Sequence, residues 1–345
     1  MCIRDSRPAQ YRPSRISARN TSATHARQDR ALALREAGYS YATIAQRLGY
    51  RAAQGASEAC RAARARQGQV VQAIGTVATP AVATNRNPNV TSRTFGLEIE
   101  FFGITPSDAV TALAAVGITA SYEGYTHRVS RDWKIVTDAS VTSTGTGRGA
   151  GLELVSPILR GEAGLEQAAK AVTALRDAGA RQNTTCGVHV HVGMDGLSGA
   201  QIMNVFDLYT KNQSNVNNLV SRSRHSNRYC RTTVPNYERS YHDNIRMATT
   251  KSEIDRLVSR LDRFVTVNLA AYAKYGTVEF RQHQGTLNGE KLTSWVKFLF
   301  SVVEAGAAGD TTEYNSLDEL LTALPLANDT KGFLTRRATR LAANR

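Results

Sequence analysis

The sequence predicts a two-part protein, in which a small helical module precedes a larger domain that combines β-strands with helices. Three observations support this division. Apolar residues recur at helical spacing between residues 27 and 66, whereas four later segments alternate apolar and polar residues as strands do. Between these regions, residues 67–93 contain Pro, Thr, Asn and small apolar residues without a clear period, which is typical of a linker.

Charge is distributed unevenly along the 345 residues, whose formal net charge is +14. Residues 1–93 hold fifteen arginines, no lysine and four acidic residues, which gives a net charge of +11. The other 252 residues hold 28 basic and 25 acidic side chains, a net charge of only +3. The basic character therefore belongs to the N-terminal segment and predicts a polyanionic partner for that part alone.

Composition also excludes several classes of protein. No run of 18 apolar residues is present, so a membrane-spanning segment is not expected. The N-terminus lacks the apolar stretch of a signal peptide. The four cysteines are scattered and include no CxxC pair, which argues against a cysteine zinc site. We therefore expect a cytoplasmic protein with reduced thiols and no membrane partner.

The N-terminal segment contains a pattern typical of DNA-binding modules. Residues 1–26 are rich in Arg, Ser, Thr and Ala and lack apolar periodicity, so we expect a disordered basic arm. Helices are predicted from Arg27, after the capping residue Ser40, and over residues 56–66. Short helices around a tight Gly-containing turn, followed by an Arg-rich helix, form a helix-turn-helix pattern. We expect residues 27–66 to bind DNA, the alternative being a helical hairpin without such a role.

Polar side chains recur on one face of the first three predicted strands of the larger domain. The segment TFGLEIEFFG places Glu98 and Glu100 opposite an apolar face. In GAGLELVSPIL, Glu153 lies alone between two leucines. In CGVHVHVG, His189 and His191 lie opposite three valines. Each pattern alone is compatible with a solvated strand face, and two histidines on a strand are also a common accident.

The fourth strand adds an arginine to these carboxylates and imidazoles. The segment GTVEFRQHQGTLN is predicted to place Glu279, Arg281 and His283 on one face and Gln282 on the other. Glutamate and arginine on the same face suit a cation beside a phosphate. An oxygen-rich set of ligands favours Mg²⁺ or Mn²⁺ over zinc. Divalent ions beside a fixed arginine are what phosphoryl transfer requires.

The order of these motifs resembles that of the amidoligase family. The resemblance covers residues 94–306 and rests on FGLEIEFFG, WKIVTDASV, GLELVSP, CGVHVHVG, SRSRHSNRYC, NLAAY and TVEFRQHQGTLN. Amidoligases are carboxylate–amine ligases of the glutamine synthetase-like superfamily. The resemblance implies an α+β fold with a curved, mainly antiparallel sheet and flanking helices. It also implies that ATP phosphorylates a small-molecule or peptide carboxylate, and that an amine then displaces phosphate to leave an amide.

The resemblance further implies which residues bind metal. Carried over by motif, Glu98, His189 and Glu279 would hold one divalent ion, Mg²⁺ or Mn²⁺. Glu100 and Glu153 would hold a second ion. Because these residues belong to different predicted strands, this assignment requires that the strands lie side by side in one sheet.

The remaining site residues are expected to contact ATP or the substrates. By the same resemblance, His191 would lie towards the nucleotide phosphates, and Arg281 would stabilise the transferring phosphoryl group. Arg222 and Arg224 would provide further contacts to phosphate or substrate. Asp138 is a candidate proton acceptor. The residues expected to contact the substrate or amine are Asp138 and Ser140.

Two other functions stay open from the sequence. A metal-dependent hydrolase that uses the HxH strand would depend on zinc and need no nucleotide. A phage-type DNA-binding protein with an inactive ligase domain would bind DNA with strong salt dependence and not turn over ATP. Residues 307–345, with a short acidic helix and a basic end, are expected to form a C-terminal tail whose role the sequence does not indicate.

Overall fold

The chain divides into two compact units, residues 1–84 and 85–345. The computed structural model describes residues 15–36, 39–74, 92–124, 126, 128–142, 151–225, 227–232 and 239–343. Among these residues, no helix has the length and apolar character needed to cross a lipid bilayer.

The first unit is helical in its described part, as the sequence predicts. Its helices are α1 (Arg15–Glu36), α2 (Tyr41–Leu48) and α3 (Ala53–Ile74). The Ser40 hydroxyl caps α2 by accepting a hydrogen bond from the Thr43 N–H at 3.2 Å. Gly49 ends α2 with φ 67°, a left-handed conformation that glycine adopts without strain. The buried faces of the three helices pack against one another and are lined by small and aliphatic side chains.

Two helices of this unit are longer than predicted. α1 begins at Arg15, so residues 15–26 are helical, whereas the sequence predicted them to be part of a disordered arm. No Pro or Gly occurs between Pro13 and the end of α1, so no strong helix breaker interrupts this stretch. α3 runs to Ile74 and so takes up the beginning of the predicted linker. The predictions for residues 1–14 and 75–91 lie outside the described residues.

The second unit combines one sheet with surrounding helices. Its strands are β1 (Thr94–Phe101), β2 (Ala120–Tyr122), β3 (Trp133–Thr137), β4 (Leu152–Val155), β5 (Leu159–Arg160), β6 (Gly187–Gly193), β7 (Val267–Asn268) and β8 (Thr277–Gln284). Its helices are α4 (Pro106–Ala115), α5 (Gly161–Asp177), α6 (Gly199–Lys211), α7 (Gln213–Asn217), the 3₁₀ helix Arg222–Arg224, α8 (Arg239–Met247), α9 (Lys251–Val258), α10 (Ala270–Tyr275), α11 (Gly289–Ala307), α12 (Leu317–Ala323) and α13 (Asn328–Ala343).

The sheet is mostly antiparallel, which confirms the predicted α+β class. Its strand order is β2-β3-β4-β1-β6-β8-β7, and β5 pairs with the beginning of β1. The pairing of β2 with β3 is parallel, whereas the other described pairings are antiparallel. The four strands predicted from alternation are β1, β4, β6 and β8, so the polar segments of the sequence lie in the middle of one sheet.

Helices α5, α6 and α11 cover the apolar face of the sheet. Side chains such as Leu97, Val190 and Phe280 are fully buried there. The rings of Phe95 on β1 and Phe300 on α11 meet edge to face, with 5.4 Å between their centroids. The opposite side of the sheet, called the open face below, carries the polar side chains of β1, β4, β6 and β8 and forms one wall of a large cleft.

A β-bulge in β8 changes which side chains reach the open face. The register between β6 and β8 shifts by one residue, so β8 has an extra residue there. Gln282 and His283 both face the helices: the Tyr209 hydroxyl donates to Gln282 at 2.8 Å, and the His283 ring lies 5.1 Å from the Trp295 ring. The prediction that His283 shares a face with Arg281 is therefore wrong, because strict alternation does not continue through a bulge.

The C-terminal residues are part of the second unit. α12 and α13 pack near α11 and α7, and Leu320 and Leu334 belong to the same buried core as the sheet. The Arg337 side chain donates through Nε to the Leu219 carbonyl oxygen at 2.8 Å. The boundary predicted at residue 306 therefore separates no structural unit, because the apolar face of the last helices completes the core.

Candidate active site

The polar side chains of four strands meet at a cleft of about 810 Å³ on the open face. They lie close together because β4, β1, β6 and β8 are consecutive neighbours in the middle of the sheet. Three directly opposed pairs follow from the register: Glu98 with His189, Glu100 with Glu153, and His191 with Glu279.

The first group of candidate ligands consists of Glu98, His189 and Glu279, called the first triad below. Their ligand atoms all lie within 4.8 Å of one another. His189 Nδ1 is 3.0 Å from Glu98 Oε2 and 3.6 Å from Glu279 Oε1. His189 and Glu279 are buried, and Glu98 is half-buried. The three residues that the resemblance assigns to one ion are therefore neighbours in the fold.

The second group, the second triad, consists of Glu100, Glu153 and again His189, with ligand atoms within 4.8 Å of one another. His189 Nε2 lies 3.7 Å from Glu100 Oε1. The other oxygen of Glu100 accepts a hydrogen bond from the Gly187 N–H at 2.6 Å, which fixes the carboxylate. His189 thus stands between the triads and turns one ring nitrogen towards each.

His191 lies at the edge of the first triad. Its Nδ1 is 3.0 Å from the Thr277 hydroxyl, which holds the ring in place. Its Nε2 is buried without a hydrogen-bond partner among the described residues, and it lies 3.5 Å from Glu98 Oε1 and 4.0 Å from Glu279 Oε1. Burial lowers the pKa of His191, but Glu279 and Glu98 outweigh it and raise the pKa above its ordinary value.

The carboxylates differ in how well their charge is compensated. Burial would raise the pKa of Glu98, yet the hydrogen bond with His189 and the nearby imidazole of His191 hold that pKa well below its usual range. Burial likewise opposes ionisation of Glu279, but Arg281 lowers its pKa. The pKa of Glu153 is raised well above its usual range by burial and by the negative charges of Glu98 and Glu100. The second triad is therefore the part of the cleft most in need of positive charge.

Two of the three predicted arginines reach the cleft. Arg281 pairs with Glu279 and donates through Nε to the Tyr229 carbonyl oxygen at 3.3 Å. Arg224 is buried and donates to the Arg281 carbonyl oxygen at 2.7 Å, while its Nε has no partner among the described residues. A Cβ on Gly187 would lie 2.9 Å from Arg224 Nη2, so glycine leaves the space that this guanidinium occupies.

The third arginine, Arg222, lies outside the cleft, whereas Asp138 and Ser140 line it. Arg222 is exposed and is not among the residues that line the cleft, because residues two apart in a helical turn point in different directions. Asp138 and Ser140 do line the cleft, just after the end of β3. Asp138 accepts a hydrogen bond from the Ser140 N–H at 2.7 Å, which orients one carboxylate oxygen.

Several residues of the site escaped the sequence interpretation. Lys134 does not line the cleft itself, but its buried ammonium group donates to the carbonyl oxygens of Arg128 and of the cleft-lining Thr126. Because β3 is buried on both faces, its sequence shows no alternation of apolar and polar residues from which Lys134 could have been predicted. Phe264 comes from a loop distant in sequence and lines the cleft as well. Thr277, whose hydroxyl lies 3.0 Å from His191 Nδ1, was likewise not predicted.

Asn268 is a further missed residue, and it positions Glu279. Its Nδ2 donates to Glu279 Oε2 at 2.6 Å, leaving Oε1 towards His189 and Arg281. We expect Asn268→Ala to weaken Mn²⁺ binding by about 10- to 100-fold, since loss of a ligand's hydrogen-bonding partner has effects of that size. Calorimetric titration with Mn²⁺ measures this change. Asn218→Ala, at a residue that is not among those lining the cleft and whose side chain donates to the Ser214 carbonyl oxygen, is the control. Equal affinity in both variants would show that Asn268 does not position a ligand.

The described cysteines are packing residues rather than nucleophiles. The side chains of Cys60, Cys186 and Cys230 are buried. Burial raises the pKa of the Cys186 thiol to about 11, so at pH 8 only on the order of one thiol in a thousand is ionised. We expect Cys186 to resist iodoacetamide in the folded protein and to react once guanidinium unfolds it, as peptide mass spectrometry can measure. Rapid labelling of the native protein at this position would contradict the assignment.

The fold and the cleft together define an α+β protein whose antiparallel sheet presents carboxylates, imidazoles and guanidinium groups on its open face. Residues 91–303 match the family model described as "Putative amidoligase enzyme". This match covers more than half of the chain, so the protein belongs to the amidoligase family, and the predicted family is confirmed. No curated protein matches the sequence.

Proposed function

We propose that residues 94–306 form an amide bond between a carboxylate and an amine in a reaction that depends on ATP and on Mg²⁺ or Mn²⁺. The observation that carries this proposal is the pair of triads on one sheet face, with Arg281 held against Glu279. Membership of a ligase family supports the same conclusion. A cleft of about 810 Å³ also suits a nucleotide with a second ligand, since small-molecule sites span about 300–1,000 Å³.

The side chains present fit divalent cations. Four carboxylates and one shared imidazole provide mainly oxygen ligands, which Mg²⁺ and Mn²⁺ prefer. The raised pKa of Glu153 and the unpartnered Nε2 of His191 are both consistent with a site built around positive charge. When bound, such ions would neutralise and orient phosphate oxygens. In this proposal the first triad holds one ion and Glu100 with Glu153 holds the other.

The proposed reaction has two steps. A carboxylate oxygen of the first substrate attacks the γ-phosphorus of ATP, ADP leaves, and an acyl phosphate forms. The amine nitrogen then attacks the acyl carbon, the bond between that carbon and the phosphate oxygen breaks, and the nitrogen loses a proton. Arg281 would stabilise the charge on the transferring phosphoryl group, with Arg224 behind it and His191 towards the phosphates. Asp138 would accept the proton, and Ser140 would help to hold the substrate or amine at the cleft wall.

A zinc hydrolase is the second candidate, because His189 and His191 project from one strand. Catalytic zinc sites combine three protein ligands, mostly nitrogen donors, with an open position. Here carboxylates outnumber imidazoles in both triads, which favours the ligase. The two glutamates of β1, the two histidines of β6, and Glu279 and Arg281 of β8 all line the cleft, which likewise argues against an inactive ligase domain.

A thermal shift measurement on the full chain tests the ligase proposal. Melting is followed with Mg²⁺·ATP, with Zn²⁺ and without either, for the wild type, Glu98→Gln and Glu279→Gln. A ligand present at one hundred times its dissociation constant stabilises a protein by about 2.7 kcal/mol. We expect Mg²⁺·ATP to raise the melting temperature of the wild type and of the control Glu166→Gln, an exposed residue of α5, but not of the two site variants. Stabilisation by Zn²⁺ alone, without a nucleotide effect, would favour the hydrolase.

A further inference from the structure

One face of α3 carries exposed polar side chains in its first half. Gln54, Glu58 and Arg61 are exposed and follow at intervals of four and three residues, so they lie on the same side of the helix. The opposite side is packed inside the unit by its small side chains: Ala56, Ala59, Cys60 and Ala63 are buried. The exposed row, called the α3 stripe below, is therefore not needed to hold the unit together.

The α3 stripe is held in a rigid frame. Gly49 ends α2 in a left-handed conformation, and α3 begins at Ala53 after a short turn. Tyr50 fixes this turn, since its N–H donates to the Ala45 carbonyl oxygen at 2.9 Å and its ring lies 4.2 Å under the Arg27 guanidinium. Helix, tight turn and helix in this order present the start of the second helix to a partner.

The chemistry of the stripe suits base edges in a DNA major groove. Glutamine bonds to adenine in a bidentate manner, arginine does so to guanine, and glutamate accepts from cytosine. Gln54 Nε2 donates to Glu58 Oε1 at 3.0 Å, which orients the amide. Arg51, exposed in the turn before α3, can contact a phosphate, and Ala52 and Ala53 leave room for the approach of the backbone.

Charge on this unit favours a polyanion. Its exposed arginines include Arg27, Arg30, Arg35, Arg47, Arg51 and Arg61. Of the exposed acidic residues described there, Asp29 is already paired with Arg66 at 2.6 Å and Glu58 is held by Gln54. The exposed charge described on this unit is therefore mostly cationic, as binding to nucleic acid requires.

The aromatic side chains distinguish duplex DNA from single-stranded nucleic acid. Proteins that bind single strands stack bases on open aromatic rings. Here three tyrosine rings are covered by arginines: Arg27 lies over Tyr50, Arg35 over Tyr41 and Arg47 over Tyr39, at 4.2, 4.6 and 4.7 Å from the ring centroids. We propose that the first unit binds double-stranded DNA with the α3 stripe in the major groove. This inference does not depend on the proposed ligase activity.

Salt-dependent binding of the full chain to a fluorescent duplex of mixed sequence tests the proposal. The variant Arg51→Ala/Arg61→Ala is compared with Arg336→Ala/Arg340→Ala, which removes the same charge from exposed positions of α13. We expect the first variant to bind at least tenfold more weakly and to lower the slope of log K against log salt by about 0.9 for each lost phosphate contact. The α13 variant is expected to bind like the wild type. Equal losses in both variants, no duplex binding at low salt, or tighter binding to single-stranded RNA would each overturn the proposal.

Base reading by the stripe has its own test. Sequences enriched by the wild type from a pool of random duplexes are compared with those enriched by Gln54→Ala, after circular dichroism has shown equal helix content. We expect the variant to lose discrimination at one base pair by about 5- to 150-fold, which corresponds to a bidentate contact, and to keep its non-specific affinity. An unchanged sequence preference would show that the α3 stripe does not read bases in the major groove.

Discussion

Replacing Glu153 with glutamine is expected to stabilise the metal-free protein at neutral pH by about 1 to 2 kcal/mol, or roughly 2–8 °C in melting temperature. Burial and the charges of Glu98 and Glu100 raise the pKa of Glu153 in the folded protein. The folded state therefore holds this proton more tightly than the unfolded chain does, and stability is lost as the pH rises through the folded-state pKa. Glutamine removes that loss. The gain should be complete above the raised pKa and should vanish below the ordinary value for glutamate, about 4.3.

Melting with EDTA at about pH 8 and about pH 4 measures this effect. The exposed Glu166→Gln is the matched control and is expected to be neutral at both values. The same Glu153→Gln variant should bind Mn²⁺ more weakly than Asn268→Ala does, because a proposed ligand rather than its hydrogen-bonding partner is changed. If the variant is less stable than the wild type without metal, the charge of Glu153 does not destabilise the folded protein, and this explanation of its raised pKa is wrong.

The second large effect is expected from Gly306→Ala, where α11 and α6 come closest. A Cβ at this position would lie 2.6 Å from Val205 Cα and 2.8 Å from Val205 N. Because these are backbone atoms of a packed helix, the two helices must move apart to admit the methyl group. We expect a loss of about 3 kcal/mol in the free energy of unfolding, at the upper end of the range of about 1–3 kcal/mol that overpacking typically costs, because the atoms that must move belong to the backbone.

Chemical denaturation compares this variant with Gly332→Ala on α13. At Gly332 the nearest atom is the end of the flexible Arg336 side chain, 3.2 Å from the added Cβ. That control should be neutral or up to about 1 kcal/mol more stable, because alanine favours the helix over glycine. If both variants keep wild-type stability, the helices on the apolar face of the sheet are less tightly packed than their backbone positions indicate.

The central sheet and the first triad could be predicted because the relevant strands alternate. Glu98 and His189 each lie between apolar residues that point to the helices, so the period of two marked their common face in the sequence. The side-by-side arrangement of these strands came from the family resemblance, since sequence periodicity carries no information about which strands are neighbours. Register then determined which carboxylate faces which imidazole.

Other features depend on tertiary contacts that leave no periodic signal. His283 turns into the core at a bulge, and the extra residue cannot be distinguished from regular alternation in the sequence. The sequence does not distinguish Arg222 from Arg224. Only Arg224 is buried in the structure, because Gly187 at the start of β6 leaves space for its side chain. Lys134 could not be predicted from periodicity, because nearly all residues of its strand are buried. For Arg224, the glycine that makes room for it is distant in the chain.

His189 imposes a limit on the cleft that follows from its ring. One nitrogen faces Glu98 and Glu279, and the other faces Glu100. A neutral imidazole carries a proton on one nitrogen and an in-plane lone pair on the other, so it can act as a ligand on one side only. If both triads bind ions as proposed, they would compete for a single tautomer of His189, and the triad that faces the protonated nitrogen would bind its ion through carboxylates alone. The proposed metal centre would therefore have two unequal positions, one with a nitrogen ligand and one with oxygen ligands alone.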